Sequence, residues 1–436
     1  MKKQYRVITA ITMVLLLTAS LGMTCFASSG TKYAYSIGVN HATTDSNEGN
    51  FTSNVQYAST CYGMMSNFRS YYQTTPSSSY LCSETNPNGV RKIASDVVFL
   101  NGHANATCMA FGENLGSAIY YGYDTSDSNY QYAGLKSIGT MDTVDLISFV
   151  GCKTAEGTTN LASVAYDEGA TTVVGFTNSI TSRYYDGPRW LERYNDHLAN
   201  GYTVQEAVNY ASAVYPNCDL STYVKIYGNT SNTITSSART SSMELQLDSF
   251  DISVDVSGIE NVNKALASEC ASEGFTGLVS QLEEIDSDFS VDDYKVTVNM
   301  YSDNQMDGMI MFTYYIGEDI ATNKAYVVTV KDGIATEIIP SGVINTSTVA
   351  TCNYSAEEES LITAASLFEQ QRLEQGLPMT IESNNIPEDS QLVETRTQYY
   401  FDYTTNELSY SETYFYCTSD ATGVYIDSHS TWIIDY

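Results

Sequence analysis

Residues 144–157, Val-Asp-Leu-Ile-Ser-Phe-Val-Gly-Cys-Lys-Thr-Ala-Glu-Gly, decide how this chain is read. Leu146 to Val150 is a short apolar run with the β-branched and aromatic content of a buried strand. It stops at a Gly-Cys pair followed by small and polar residues. Cys152 therefore falls at the carboxyl end of a strand. From Thr159 to Asp167, Leu161, Val164 and Ala165 recur at helical spacing, Glu168-Gly169 closes the helix, and Thr171 to Phe176 is a second apolar strand. Strand, helix and strand within about 30 residues describe a right-handed crossover in a parallel sheet. Ligands of such sheets bind outside the carboxyl ends of the strands.

Asp96 to Leu100 forms a matching strand that delivers Asn101, Gly102 and His103 at its own carboxyl end. A thiol and an imidazole at one sheet edge are what acyl transfer through a thioester requires. The imidazole takes the thiol proton, the thiolate attacks a carbonyl, and the imidazolium protonates the leaving group.

Before this pair lies Lys32 to Val39, a strand ending at Asn40-His41, and then a polar loop with Asp45 and Glu48. A helical stretch runs from Asn54 to Phe68, an exposed loop from Gln73 to Val90, and an irregular segment from Gly112 to Ile138. Past Phe176, Pro188 to Asn200 reads as a helix. Thr203-Val-Gln-Glu206 makes a capping box for the next helix, whose Val204, Ala207, Val208, Ala211 and Val214 share one face. Thr222 to Tyr227 is the last strand of this α/β unit. His41 competes with His103 as a base, His197 is expected to be a solvated helix residue, and His429 lacks an evident partner.

The chain has 436 residues, room for two domains. Met1 to Arg6 with two lysines and one arginine, the apolar run Val7 to Met23, and small residues near Ala27 read as a signal peptide over 1–27. Gly22-Met23-Thr24 before Cys25 is a poor lipoprotein context. The chain is thus expected to be secreted or extracellular, with cell-surface association as the alternative, and to have no membrane span. Removing that segment leaves 17 basic against 51 acidic residues, a net charge of about −34, which speaks against nucleic acid and anionic membrane surfaces as partners. Nine cysteines at wide spacings, with no Cys-x-x-Cys pair, make zinc improbable; one or two disulfides are compatible with export.

The second half changes character. Residues 236–250 read as a Ser/Thr-rich linker. Residues 251–436 read as an α+β accessory domain with a largely antiparallel sheet: a helix from Ile259 to Leu282, strands at Tyr294 to Met300, Met309 to Tyr315 and Ala325 to Val330, a turn at Lys331-Asp332-Gly333, an acidic helix from Ser355 to Gln375, and a strand meander from Thr395 to Tyr436. No nucleophile, metal spacing or phosphate loop occurs there.

A strand ending in His, a strand ending in Cys about 50 residues later, and the helix and Gly169-Ala-Thr-Thr-Val-Val174 strand behind it resemble the caspase-like cysteine peptidases. This superfamily includes clostripain, gingipain, separase and the CHAT domain, and Gly151-Cys-Lys-Thr-Ala155 is most similar to the CHAT group. The resemblance covers residues 30–235. It implies a caspase-like, mostly parallel sheet with helices on both faces, and an endopeptidase with Cys152 as nucleophile and His103 as general acid/base. It further implies an oxyanion hole from the backbone N–H groups of Cys152 and Ala104. Two departures are Ala104, where many members have glycine, and Gly151, where several have an acidic residue or alanine. Asp45, Glu48 and Asp186 are the carboxylates that could line a pocket for a basic substrate side chain. No cofactor is called for, and nothing in the sequence speaks to Ca²⁺. The partner implied is a protein or peptide substrate. The competing class is a non-catalytic secreted binding protein of the same fold, with Cys152 spent in a disulfide.

Overall fold

The computed structural model describes residues 30–38, 49–74, 76–111, 116–126, 131–235, 249–270, 272–301, 306–342, 354–374 and 389–436, together with 247, 344 and 386. The expected signal segment, His41, Asp45, Glu48 and most of the expected linker lie outside them. In chain order the first half contains β1 (Lys32–Gly38), α1 (Gly49–Gly63), β2 (Phe68–Gln73), α2 (Ser78–Cys82), β3 (Val97–Asn101), β4 (Cys108–Phe111), β5 (Ser117–Tyr120), β6 (Thr125–Ser126), β7 (Gln131–Gly134), β8 (Leu146–Val150), α3 (Leu161–Asp167), β9 (Thr172–Phe176), α4 (Asp186–Ala199), α5 (Val204–Val214), α6 (Asp219–Tyr223) and β10 (Val224–Gly228).

β3, β8 and β9 are buried at every position because both faces of their sheet are covered. The sheet order is β10-β9-β8-β3-β1-β2, parallel throughout except for β10, which runs antiparallel to β9. On one face Val97, Phe99, Leu146 and Val174 pack with residues of α1, α4 and α5; on the other Val98, Leu100, Ile147 and Val173 pack with Leu161, Ala162 and Val164 of α3. Local sequence sets the helix starts. Asn160 caps α3 by accepting from Ser163 N–H at 2.8 Å, and Thr203 and Glu206 form the reciprocal capping box of α5.

The second half contains β11 (Phe250–Asp255), β12 (Val262–Leu266), α7 (Glu273–Ile285), β13 (Tyr294–Met300), β14 (Gly308–Ile316), β15 (Ile320–Lys331), β16 (Ile334–Pro340), α8 (Tyr354–Glu374), β17 (Gln391–Asp402), β18 (Glu407–Cys417) and β19 (Tyr425–Ile434). Its sheet runs β12-β13-β14-β15-β17-β18-β19, antiparallel except where β15 meets β17, with β16 joining β11 to β15. Mixed α/β is therefore the architecture of the whole.

α5 joins the two halves. Met309, Met311, Val327 and Phe415 of the second sheet share one core with α4 and α5 of the first. Across that core Gln205 Nε2 donates to the carbonyls of Gly308 (3.1 Å) and Val330 (2.8 Å), and Asn209 Nδ2 donates to Thr329 Oγ1 (2.8 Å). The buried Nε2 of Gln205 and Nδ2 of Asn209 thus find their acceptors on the opposite sheet, while Gln205 Oε1 has no hydrogen-bond partner among the described residues.

Four expectations are corrected. The helix from Ile259 to Leu282 is instead β12, a short turn and α7: the edge of β13 recruits Val262 to Leu266 as a strand, and Ser272 caps the helix by accepting from Phe275 N–H. The irregular Gly112 to Ile138 segment carries β5, β6 and β7, which form a small sheet with β4. The loop from Gln73 to Val90 contains α2. His197 is buried, 4% exposed, and stacked on Tyr202 and Tyr210 with ring centroids 4.6 and 3.7 Å away.

Burial, reinforced by the charge of Arg193, lowers the His197 pKa from 6.5 to about 4. The unfolded chain therefore takes up this proton first as pH falls, and the stability associated with neutral His197 is lost between pH 6.5 and 4. At 1.36 kcal/mol per unit this residue contributes about 3 kcal/mol of that loss. In urea titrations, the stability difference between His197→Phe and the unsubstituted chain is expected to move by that amount between pH 7 and pH 4. A difference that ignores pH would contradict the assignment.

Candidate active site

Cys152 and His103 leave the sheet from neighbouring strands. β3 and β8 pair in parallel through Asn101 and Val150, and Gly102 N–H donates to the Val150 carbonyl at 3.1 Å. Each strand then runs two residues, to His103 and to Cys152, so both emerge at one edge from strands about 4.8 Å apart.

Gly151 fixes how closely the two ends approach. A Cβ there would lie 2.7 Å from the Gly102 carbonyl oxygen, 2.7 Å from the Ala104 Cβ and 2.9 Å from Met109 Cε. Glycine at this position answers to close packing, whatever the substrate. Beneath it, the buried Asn101 amide donates to Val150 O (2.9 Å) and Ser182 Oγ (2.9 Å) and accepts from Asn54 Nδ2 (2.8 Å).

After Cys152 the chain turns sharply. Lys153 adopts φ +62°, a left-handed conformation that costs a non-glycine residue energy and clusters at functional turns. The turn is held by Lys153 N–H to Asn178 O (2.9 Å), Ala155 N–H to Phe176 O (2.9 Å), and Thr154 Oγ1, which donates to Phe149 O (2.9 Å) and accepts from Phe176 N–H (3.1 Å). The Cys-Lys-Thr-Ala sequence thus braces the end of β8 against the end of β9.

The thiol is deeply covered. Cys152 is 3% exposed, and its Sγ accepts from Ile180 N–H at 3.4 Å. Burial pushes the thiol up to about 12, the Asp427 carboxylate adds to the rise, and the Ile180 N–H opposes it. His103 is 4% exposed, and its ring meets Phe51 edge-on at 5.2 Å. Phe51 also borders Arg183, whose guanidinium carbon is 5.0 Å from the ring centroid. Arg183 Nη2 donates to the Asp427 backbone oxygen at 2.7 Å and pairs with its Oδ1 at 3.2 Å, both side chains being 4% exposed.

Residues of the second half therefore lie on the site. Tyr425 N–H donates to Ala104 O at 3.0 Å in an isolated antiparallel bridge. Asn105 Nδ2 donates to Thr422 O (2.9 Å) and Gly423 O (3.0 Å), and Cys108 Sγ donates to Thr422 O (3.2 Å). Arg396 Nη1 reaches Ser179 O at 2.9 Å, in the segment that carries Ile180.

The structure thus brings Cys152, His103 and Ala104 to one edge. Asp186 instead begins α4 and lines a cavity of about 530 Å³ with Arg189, Tyr400 and His429; burial raises its carboxyl to about 6. Asp45, Glu48 and His41 lie outside the described residues. His429 hydrogen-bonds Thr413 and stacks against Tyr184. Asn54, Ser182, Arg183 and Asp427 were not singled out by the sequence; only Asn101, a polar residue ending an apolar strand, marked the network. The described cysteines, 61, 82, 108, 152, 218, 270 and 417, are free thiols. Among the described residues no three His, Cys, Asp or Glu side chains converge as a metal site, and no helix is long and apolar enough to cross a membrane.

No protein-family model matches the chain, and no curated protein matches it.

Gly151→Ala is expected to lower stability by roughly 1–3 kcal/mol in urea denaturation, since the added methyl meets backbone rather than a flexible side-chain end alone. A loss under about 0.5 kcal/mol would show that the two strand ends separate freely.

Proposed function

We propose that this chain is an exported cysteine endopeptidase of caspase-like architecture, with Cys152 as nucleophile and His103 as general acid/base. The supporting observation is the register of β3 and β8, whose last paired residues, Asn101 and Val150, each stand two positions before the reactive side chain. In the reaction His103 accepts the Cys152 thiol proton, the sulfur forms a bond to the substrate carbonyl carbon, and the peptide C–N bond breaks as the imidazolium protonates the departing amine. Water then cleaves the thioester, with His103 as base, and the thiol is restored. The N–H groups of Cys152 and Ala104 are the proposed oxyanion donors. Substrates are proteins or peptides; the acidic composition disfavours nucleic acid.

One observation favours the non-catalytic reading. A thiol 3% exposed and pushed up to about 12 is neither accessible nor a thiolate at neutral pH. It reacts only from transiently opened forms, and removing the buried His103 ring changes how often these occur.

The ratio of Cys152 alkylation by iodoacetamide in the unsubstituted chain and in His103→Ala, each rate divided by that of the buried Cys218 in the same sample and compared with His103→Phe, which keeps a ring in place, reads the dyad apart from the opening. Mass spectrometry at pH 7 is expected to give a ratio of about 10 or more. A ratio near one removes the peptidase assignment in favour of a binding protein.

A further inference from the structure

The loop after β18 and the first residues of β19 run across the Cys152 edge in an arrangement suited to a peptide. Tyr425 pairs main chain to main chain with Ala104, the residue after His103. Successive side chains of a strand face opposite ways. Val424 and Ile426 pack into the small sheet with Cys108, Ala110 and Ala118. Tyr425 and Asp427 turn the other way: the Tyr425 ring lies 4.6 Å from Lys153 Nζ, one residue after the nucleophile, and Asp427 pairs with Arg183. An added strand held by main-chain bonds, with alternate side chains read by pockets, is a general mode of peptide recognition.

Charge sharpens the picture. Only 17 basic residues follow the expected signal segment, and three of them, Lys153, Arg183 and Arg396, come from the site's surroundings, each paired with a carboxylate: Glu156, Asp427 and Asp219. A buried ion pair offsets its desolvation only when its remaining lone pairs are satisfied. Asp427 Oδ2 is buried with no hydrogen-bond partner among the described residues. The Arg183 recess thus holds a carboxylate without being completed around this one, as for an occupant that can be exchanged.

We propose that residues 422–427 are an internal stand-in for a substrate strand, and that Arg183, which holds Asp427, selects an acidic side chain of the true substrate near the attacked carbonyl. The proposal rests on the peptidase reading for its second part only; occlusion of the thiol stands independently. Specificity is then for carboxylates, opposite in sign to the pocket expected from Asp45, Glu48 and Asp186, and the chain is latent until residues 422–427 leave.

Full-length Asp427→Ala and, separately, Tyr425→Pro, which removes the N–H that bonds Ala104, are compared with the unsubstituted chain for iodoacetamide labelling of Cys152. Cooperative thermal melting serves as the check that each variant folds. Both are expected to label Cys152 faster by about 10-fold or more while the buried Cys61 and Cys218 keep their rates. Labelling that stays at the rate of Cys61 in both folded variants overturns occlusion. The released chain is then treated with peptidyl chloromethyl ketones ending in Asp, Glu, Ala or Lys. Cys152 is expected to react with the acidic probes about 10-fold faster than with the others, a preference that Arg183→Ala abolishes. Equal rates, or a lysine preference, overturn Arg183 as the selector even if His103 still accelerates labelling. Rapid iodoacetamide labelling without any His103-dependent peptidyl reaction overturns the selector role and the peptidase reading together, and leaves occlusion intact.

Discussion

The Asn101 side chain is the joint on which the site edge depends. One buried amide connects the end of β3 to the Val150 carbonyl of β8, to Ser182 in the loop after β9, and to Asn54 on α1. With Asn101 itself the groups come from four segments, and the buried Asn101 amide would lose its partners, at about 1–3 kcal/mol for each polar atom left unsatisfied, if they moved away. That penalty holds the ends of two parallel strands together while the chain beyond them departs into loops. The tight approach of Gly151 to Gly102 and Ala104 lies directly beyond this network.

The same compactness opposes chemistry at Cys152. A dry thiol is inert, and Ile180, whose N–H reaches the sulfur, and the proposed cover, residues 422–427, are not part of the parallel sheet. The second half therefore does more than flank the first. It shares a core with α4 and α5 and sends Arg396 to the loop that carries Ile180. In the proposed latent form, movement of residues 422–427 would change the solvation of the thiol without requiring the strands to shift.

What the sequence made legible was local. The β8 run and its Gly-Cys stop, the Thr203 capping box and the Lys331-Asp332-Gly333 turn, with Asp332 and Gly333 at φ +50° and +77°, are each specified within a few residues. The miss over residues 259–270 came from an edge pairing with β13, a tertiary partner that overrides local spacing. His197 looked solvated beside Asp196, yet the stacking partner Tyr210 arrives from the next helix. Cys152 and His103 were readable because strand ends are, whereas Arg183 and Asp427 were not: nothing local in either neighbourhood announces a partner so distant in sequence.

That distance sets a timetable. Asp427 is made 244 residues after Arg183. At roughly 5–20 residues per second, about 10–50 s pass between the two at the ribosome. Over that interval a nascent chain could hold its thiol edge formed and uncovered. The proposed cover is synthesised after every strand of the parallel sheet and after β11 to β18, which share or flank the core of α4 and α5, so it is the last piece of the site to be made.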